Sequence, residues 1–493
     1  MSRGGESPAV RRARSGGISE VAALALPAVL HTLSDTLMQV VDAAIVGRLG
    51  VVELGAIGFA GVWLWTLTSG FVGTATGVQT FVAQEIGAGR PRSCARWVVQ
   101  GLWAIVPVAT VFFLAARHLV GDFFAWLGPS PELQVSATAY ARARLLGAPA
   151  IPLMIVFNSF FRGLGDTRTP LAVAILANVM NALLSFGLVF GRGGLPALGV
   201  AGAGYGSAIS IATSAVVLGL AWRRRSARLA TDSDAADAAD AADAADAARS
   251  DAAHADPAAA AHTERAPAAP ERGFARPDRR AIARLLRTSA PIGGAYVLDM
   301  ITFALFTTIL ARMGDRPMAA SQAMIQLLSL SFMQAVGISI AAAALVGRYV
   351  GARDLESAQR SHRSALALGL ALSAVVATLF LGAPDMLLRV FTSDPAVLEL
   401  GRPLLRLGAF FQLADAAGII TAGSLRGAGD TRWPFLVQSS LAWAYRLPAV
   451  WVAAVWLGRG VQGAWTAELG YVILLGALLL ARFERGAWRE TRI

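Results

Sequence analysis

The residues best placed to do chemistry in this sequence are ionisable side chains inside long apolar runs. An ionisable group at the centre of a bilayer costs about 2.5–3.5 kcal/mol on insertion scales, so each one requires a partner or a function. The candidates are Asp35, Asp42, Asp299, Asp415, Arg446 and Glu468. Carboxylates in such positions mark pathways for protons and other cations. The pattern indicates ion-coupled transport, with a structural ion pair to Arg446 as the alternative.

Catalytic chemistry has no comparable support. The sequence contains no nucleophile motif, no metal-ligand spacing of His, Cys and Glu, and a single cysteine, Cys94. The stretch Gly202-Ala-Gly204-Tyr-Gly206 opens an apolar helix with no strand before it, which favours close helix packing over a phosphate loop. We expect no enzyme and no cofactor. A membrane-embedded enzyme or receptor subunit is the alternative from another class.

The composition is that of an integral membrane protein. Of 493 residues, 55% are hydrophobic and 15% are charged, and the mean hydropathy is +0.56. The net charge of +11 comes from arginine alone, since the sequence has no lysine. These arginines fall in short loops, which indicates orientation in a membrane rather than a nucleic-acid partner.

Apolar runs of membrane-spanning length recur twelve times. A bilayer core about 30 Å thick needs roughly 20 helical residues. The runs lie at about 19–47, 53–84, 97–116, 134–161, 169–191, 197–222, 285–311, 317–347, 364–383, 397–424, 433–457 and 460–481. The sequence therefore predicts an all-α membrane protein with twelve transmembrane helices.

A duplicated stretch divides these helices into two halves. Residues 161–170 and 425–434 are identical at seven of ten positions, at an offset of 264 that also pairs Asp35 with Asp299. We predict two pseudo-symmetric six-helix lobes, helices 1–6 and helices 7–12. Because six is even, the lobes enter the membrane in the same orientation and are related by an axis along its normal.

The connecting segments set the domain boundaries and the orientation. We assign 1–222 to the N-lobe, 223–283 to a flexible cytoplasmic linker and 284–493 to the C-lobe. An Asp-Ala-Ala repeat from Asp234 to Asp246 lacks apolar anchors, so a flexible linker is favoured over a fraying polar helix. Arginines concentrate before helix 1, after the even-numbered helices and at the C-terminus, which predicts that both termini are cytoplasmic.

Several motifs together resemble the multidrug and toxic compound extrusion (MATE) family, DinF/NorM-like, of the MOP flippase superfamily. They are the duplicated Arg-Gly-x-Gly-Asp-Thr-Arg turn, Val-Asp42-Ala-Ala-Ile-Val-Gly47-Arg-Leu-Gly50 after Pro27, and Ile86-Gly-Ala-Gly-Arg90. The resemblance implies two lobes forming a V around a central cavity. It also implies multidrug efflux by an antiporter of the cell inner membrane, a multi-pass monomer that exchanges small, cationic or amphipathic organic solutes for H+ or Na+. A lipid or polysaccharide flippase of the same superfamily is the alternative, which a continuous cationic groove would favour.

The resemblance carries site residues with it. Asp42 matches the helix 1 aspartate of proton-coupled members, and Asn178 and Asn181 match its polar partners on helix 5. Ser185 stands where a second aspartate is common in that pattern. This substitution leaves one carboxylate in the N-lobe site, and we expect Asp42 to be buried beside Asn178 or Asn181.

The C-lobe matches a different branch. Asp299 and Asp415 resemble the helix 7 and helix 10 acidic residues of sodium-coupled, NorM-like members, but Phe411 replaces a tyrosine ligand. Arg446 lies in mid-helix 11, where an unpaired guanidinium would be costly. We expect it to pair with Asp415 or Asp299, and with Glu468 as third choice. Coupling would then fall to protons at Asp42, with Na+ at Asp299 and Asp415 as the alternative.

Overall fold

A computed structural model of the chain describes residues 16–128, 130–252, 276–391 and 394–491. The first half contains six helices, two of them broken. They are α1 (Ile18–Val46), α2 (Val51–Thr76 and Val78–Gly87), α3 (Pro91–Leu127), α4 (Pro131–Gly147 and Ala150–Gly163), α5 (Arg168–Phe190) and α6 (Val200–Ala252).

The second half repeats this order. Its helices are α7 (Arg279–Ala311), α8 (Asp315–Gly351), α9 (Leu355–Gly382), α10 (Pro395–Ala428), α11 (Arg432–Leu441, Ala442–Arg446, Leu447–Trp451 and Val452–Trp456) and α12 (Gly460–Glu484). Short helices at Pro384–Leu388 and Ala487–Glu490 follow α9 and α12.

Ten of these helices are long and apolar enough to cross a membrane, and α4, bent by 49°, makes an eleventh. The segments of α11 supply the twelfth run predicted from the sequence, because α-helical and π-helical turns follow one another from Arg432 to Trp456. Pro448 lies between the two π segments. Pro448 lacks an amide hydrogen and so removes one hydrogen bond from the helix. The π-helical turns on either side accommodate this break. The predicted all-α membrane class is confirmed.

Small residues bring the helices into close contact, as the glycine-rich stretch of α6 predicted. A Cβ added at Gly202 would lie 2.5 Å from the carbonyl oxygen of Leu188, and one at Gly204 would lie 2.7 Å from that of Tyr140. Side chains at these positions would push α6 away from α5 and α4. Packing through small residues is the usual way that membrane helices approach one another.

The two lobes meet at one end of the bundle. Thr32 of α1 donates to the carbonyl of Met333 on α8 at 2.9 Å, and Gln84 of α2 donates to that of Gly427 at 3.0 Å. Gly73 faces Gly293, where an added Cβ would lie 2.8 Å from the Cα of Gly293. Beyond Thr32, α1 has several exposed side chains, Asp35 among them. The contacts between the lobes therefore lie at one end of the bundle, which we call the closed end, and we call the region between the lobes beyond it the cleft.

Both duplicated turns lie at the closed end. Each contains a glycine in the left-handed region, Gly165 with φ 79° and Gly429 with φ 92°. Gly163 packs against Val82 of α2, and Gly427 accepts the bond from Gln84. The turns thus share one side of the bundle, as an even number of helices in each half requires.

The segment expected to be a flexible linker is partly helical. Helix α6 continues to Ala252, so residues 223–252 are helical rather than irregular. Alanine has the highest intrinsic helix propensity, and the Ala-rich repeat follows directly from a formed helix that removes the cost of nucleation. Residues 253–275 of the predicted linker lie outside the described residues, and α7 begins at Arg279, within the range assigned to the linker.

Candidate functional site

Asp42 lies at the centre of a buried polar cluster in the N-lobe. Its side chain is held by three neutral donors from two other helices. Asn181 Nδ2 donates to Asp42 Oδ1 at 2.7 Å, Ser185 Oγ donates to the same oxygen at 3.1 Å, and Ser207 Oγ donates to Oδ2 at 2.8 Å. The residue is 4% exposed, and it forms no ion pair with another described residue. We call Asp42, Asn181, Ser185 and Ser207 the N-lobe cluster.

The local sequence explains how this cluster forms. Asn181 and Ser185 are four residues apart on α5 and so point to the same side of the helix. Gly206 allows α6 to approach, since a Cβ there would lie 2.5 Å from Ser185 Oγ. Ser207 follows that glycine and reaches the carboxylate from the other side. Ser207 was not among the residues predicted from the sequence. Its position next to Gly206, in a stretch predicted to pack closely against another helix, was the signal that could have indicated it.

The arrangement allows Asp42 to exist with or without a proton. A hydroxyl is both a donor and an acceptor, and its hydrogen rotates to suit its partner. Ser207 donates to the carboxylate, and it can accept a hydrogen bond from the carboxylic acid with little movement. No fixed positive charge bonds the carboxylate. The cluster therefore suits reversible proton binding.

Asn178 does not belong to this cluster. The resemblance implied that both Asn178 and Asn181 would be partners of Asp42, and only Asn181 bonds to it. Its Nδ2 donates to the carbonyl oxygen of Ser34 at 2.7 Å and also to the Ser34 hydroxyl. Asn178 lies three residues before Asn181, about 4.5 Å along the helix axis. At that level it faces Ser34, which precedes Asp42 by two turns of α1.

Arg446 lies at the centre of a buried charged cluster in the C-lobe. Its Nε lies 2.8 Å from Glu468 Oε2 and its Nη2 lies 2.6 Å from Glu468 Oε1, so the pair is bidentate. Both side chains are 4% exposed. Nη1 lies 3.0 Å from Thr302 Oγ1 and 3.5 Å from Asp299 Oδ1. The guanidinium also stacks against Tyr471, whose ring centre is 5.0 Å away.

The expected order of partners for Arg446 was wrong. Glu468, the third choice, forms the bidentate pair, Asp299 forms a longer contact, and Asp415 forms no ion pair with Arg446. Helix α12 follows α11 after a short turn and packs beside it, which places Glu468 at the level of Arg446. Glu468 already occupies Nε and Nη2 of Arg446, so these two donors are not available to Asp415.

Two repeat-related carboxylates reach the cleft. The Asp35 side chain is 60% exposed, and its Oδ2 lies 3.5 Å from His31 Nδ1. His31 Nδ1 also lies 3.3 Å from Arg162 Nη2, and Arg162 belongs to the duplicated turn. Asp299, its counterpart, is 39% exposed. Both aspartates follow residues that contact the other lobe: Asp35 lies three residues after Thr32, and Asp299 lies two residues after Val297.

A helical bundle built from two repeat-related lobes, with ionisable residues inside its membrane helices, is the architecture of many secondary transporters. The chain is a member of the MATE family: the MatE family model matches residues 27–187 and 291–452, one match in each lobe. The resemblance inferred from the motifs is confirmed.

Relatives of this chain match it over nearly their whole length. The chain is 27% identical to the probable multidrug resistance protein NorM of Thermotoga maritima, over 96% of this chain and 94% of that protein. It is 26% identical to the multidrug resistance protein MdtK of Yersinia pseudotuberculosis, over 95% and 94%. A solved outward-facing MATE transporter of the MOP superfamily superposes with a TM-score of 0.79 at 17% identity, over 99% of this chain and all of that one.

Proposed function

We propose that this chain is a cation-coupled antiporter that exports drugs or other organic solutes across the cytoplasmic membrane, with protons acting at Asp42. The observation that carries the proposal is the N-lobe cluster, a buried carboxylate bonded only by neutral donors. Relatives of nearly the same length are named as multidrug resistance proteins. A transporter of this kind needs no catalytic group, and we infer that it is not an enzyme.

The C-lobe favours protons over sodium by a different argument. Sodium binds to hard oxygen ligands and contributes one positive charge to them. In this chain Arg446 already supplies a positive charge 3.5 Å from Asp299, and Phe411 offers no oxygen. Asp415 lies near Asp299 and Glu468 without pairing to the guanidinium. Sodium held between Asp299 and Asp415 is therefore the alternative to be tested.

The N-lobe cluster connects the ion to the transport path. Asp42 is on α1, Ser185 on α5 and Ser207 on α6, so a change in the carboxylate changes bonds among three helices. The same α1 carries Asp35 two turns earlier, facing the cleft. Protonation of Asp42 thus alters the helix that faces the substrate, which is the link an exchange mechanism needs.

The cleft favours organic cations as substrates. Asp35 and Asp299 are both partly exposed, and a carboxylate facing the cleft attracts a positively charged solute. A flippase for anionic lipids would need exposed cationic side chains at this position. Arg162, by contrast, is 8% exposed and bonded to His31.

The orientation and the unit of function complete the proposal. The positive-inside rule supports a cytoplasmic location for the closed end and for both termini, because the loops at that end are rich in arginine. The cleft then opens outward. Both lobes and the cleft between them come from a single chain, so a monomer is sufficient for exchange.

The proposal is tested by efflux from proteoliposomes that hold the full-length protein. A fluorescent organic cation is loaded, and either a proton gradient or a sodium gradient is imposed. We expect efflux with the proton gradient alone, and its loss in Asp42→Asn. Sodium-driven efflux that persists in the wild type and disappears in Asp415→Asn would replace the proton assignment by the sodium alternative.

A further inference from the structure

The two duplicated turns have the same central sequence but begin the next helix differently. In the N-lobe, Asp166 caps α5: its Oδ1 accepts from the backbone amides of Arg168 at 3.1 Å and Thr169 at 3.0 Å. Thr169 Oγ1 donates to Asp166 Oδ2 at 2.7 Å. A side-chain carboxylate therefore satisfies the amides that the first turn of a helix leaves free.

In the C-lobe, the equivalent carboxylate is turned away from the helix. Asp430 Oδ2 accepts from Arg482 Nε at 2.9 Å, and Arg482 stacks on Trp433, with its guanidinium carbon 5.3 Å from the ring centre. Trp433 occupies the position of Thr169 in the other turn. Among the described residues, neither the Asp430 nor the Thr431 side chain accepts a hydrogen bond from the first amides of α11.

The residue that precedes this helix, Thr431, has an unpartnered hydroxyl. Thr431 is 4% exposed, and its hydroxyl makes no hydrogen bond within the described structure. Thr431 lines a surface pocket of about 500 Å³ together with Thr288 and the arginines 284, 287 and 432. We call this the α11 pocket.

The charge of the α11 pocket is strongly positive. Arg284, Arg287 and Arg432 form no ion pair with another described residue, and the one carboxylate in the lining, Asp430, is held by Arg482. The N-lobe has no equivalent, because residues 20 and 23, at the same offset, are Glu20 and Ala23. The pocket thus combines three guanidinium groups, none of them paired with a described carboxylate, with the N-terminus of a helix that lacks a capping carboxylate among the described residues.

We propose that the α11 pocket binds a phosphate group, either in the head group of an anionic phospholipid or as free phosphate. The N-terminus of a helix carries about half a positive charge and presents amide hydrogens to an anion. Guanidinium groups add bidentate bonds to phosphate oxygens. The pocket lies at the arginine-rich end of the bundle, where anionic head groups meet juxtamembrane basic residues. This inference does not depend on the coupling ion or the exported solute.

The test uses the purified full-length protein and two probes. Native mass spectrometry counts adducts of phosphatidylglycerol against phosphatidylcholine, and calorimetry measures the affinity for inorganic phosphate. Arg287→Gln and Thr431→Val remove pocket groups, while Arg168→Gln alters the exposed equivalent of Arg432 in the N-lobe. Thermal unfolding shows that each variant remains folded; Arg287 is exposed, so its replacement leaves the packing intact.

The structure predicts at least about tenfold weaker binding in Arg287→Gln, the effect of one hydrogen bond to a charged group, and no change in Arg168→Gln. A smaller loss is expected in Thr431→Val. If Arg287→Gln loses phosphatidylglycerol adducts and the wild type does not bind inorganic phosphate, the site binds lipid. If the wild type binds inorganic phosphate and Arg287→Gln weakens that binding while Arg168→Gln does not, the site binds free phosphate. Equal adducts of both lipids with no phosphate binding, or an equal loss in Arg168→Gln, would overturn the proposal.

Discussion

The two lobes of this protein hold their buried carboxylates in opposite ways. In the N-lobe, Asp42 is bonded by one amide and two hydroxyls. In the C-lobe, a guanidinium pairs with Glu468 and contacts Asp299. Neutral donors leave a carboxylate free to change its charge, whereas a buried guanidinium fixes the charge of its partner. The two lobes arose by duplication and have similar helices. The residues that differ between them let the Asp42 carboxylate change its charge in the N-lobe and keep the charges of the C-lobe constant.

Breaking the fixed pair tests the C-lobe side of this comparison and has the largest expected effect. Removing one member of a buried ion pair typically costs about 3–5 kcal/mol, because the other charge is left uncompensated. We expect Arg446→Met to lower the free energy of unfolding by about this amount, as measured by denaturant titration in detergent.

The double variant Arg446→Met with Glu468→Met is the matched control. Replacing both charges by apolar groups of similar size is often neutral or stabilising, so the double variant should recover most of the lost stability. If the single and double variants were equally unstable, the pair would not be the structural unit described here.

Removing one donor from the N-lobe cluster has the next largest effect. Ser207→Ala leaves Asp42 Oδ2 without its hydrogen bond, which is worth about 1.5 kcal/mol or more for a charged acceptor. We expect proton-driven efflux to fall by about tenfold. Ser210→Ala is the control: Ser210 is buried on the same helix but donates only to the carbonyl of Gly206, and its loss should leave efflux nearly unchanged.

The cleft carboxylates provide a smaller, selective effect. Asp35 is more exposed than Asp299 and is not paired with arginine, so it should contribute more to the binding of a cation. We expect Asp35→Asn to raise the KM for a monovalent organic cation by about three- to tenfold, as a partly screened charge pair of about 1 kcal/mol implies. Asp299→Asn should raise it less. An equal rise for an uncharged substrate would rule out a charge effect.

The smallest expected effect concerns the residue that the structure separates from the cluster. Asn178→Ala removes the bond to Ser34 but leaves all three donors of Asp42 in place. The dependence of efflux on the proton gradient should therefore be the same as in the wild type, even if the maximal rate falls. A changed gradient dependence would place Asn178 in the coupling unit after all.

The sequence was sufficient for the architecture because its signals were local or repeated. Twelve apolar runs, a constant offset between halves and glycines in helix-packing stretches each have a direct physical meaning. The structure of residues 223–252, where α6 continues, was harder to predict, because an Ala-rich polar repeat is compatible with both a helix and a linker. Only its continuity with a formed helix decides between them.

Side-chain partners were less predictable. Asp42 with Asn181 followed from the family pattern, whereas Ser207 required knowledge of how closely α6 approaches α5 at Gly206. The sequence does not identify Glu468 as the main partner of Arg446. Which residues of α11 and α12 lie at the same level depends on the π-helical turns of α11, and these turns have no clear signature in the sequence. The different capping of two nearly identical turns likewise depends on Arg482, a residue 52 positions away from Asp430.

The central claim is that Asp42 titrates during transport while the C-lobe charge stays fixed. It is tested most directly by substrate-dependent proton flux, recorded with a pH-sensitive dye inside proteoliposomes when an organic cation is added outside. We predict proton movement opposite to that of the substrate in the wild type and in Asp415→Asn, and none in Asp42→Asn. Proton movement that persists in Asp42→Asn and disappears in Asp415→Asn would contradict the claim and assign coupling to the C-lobe.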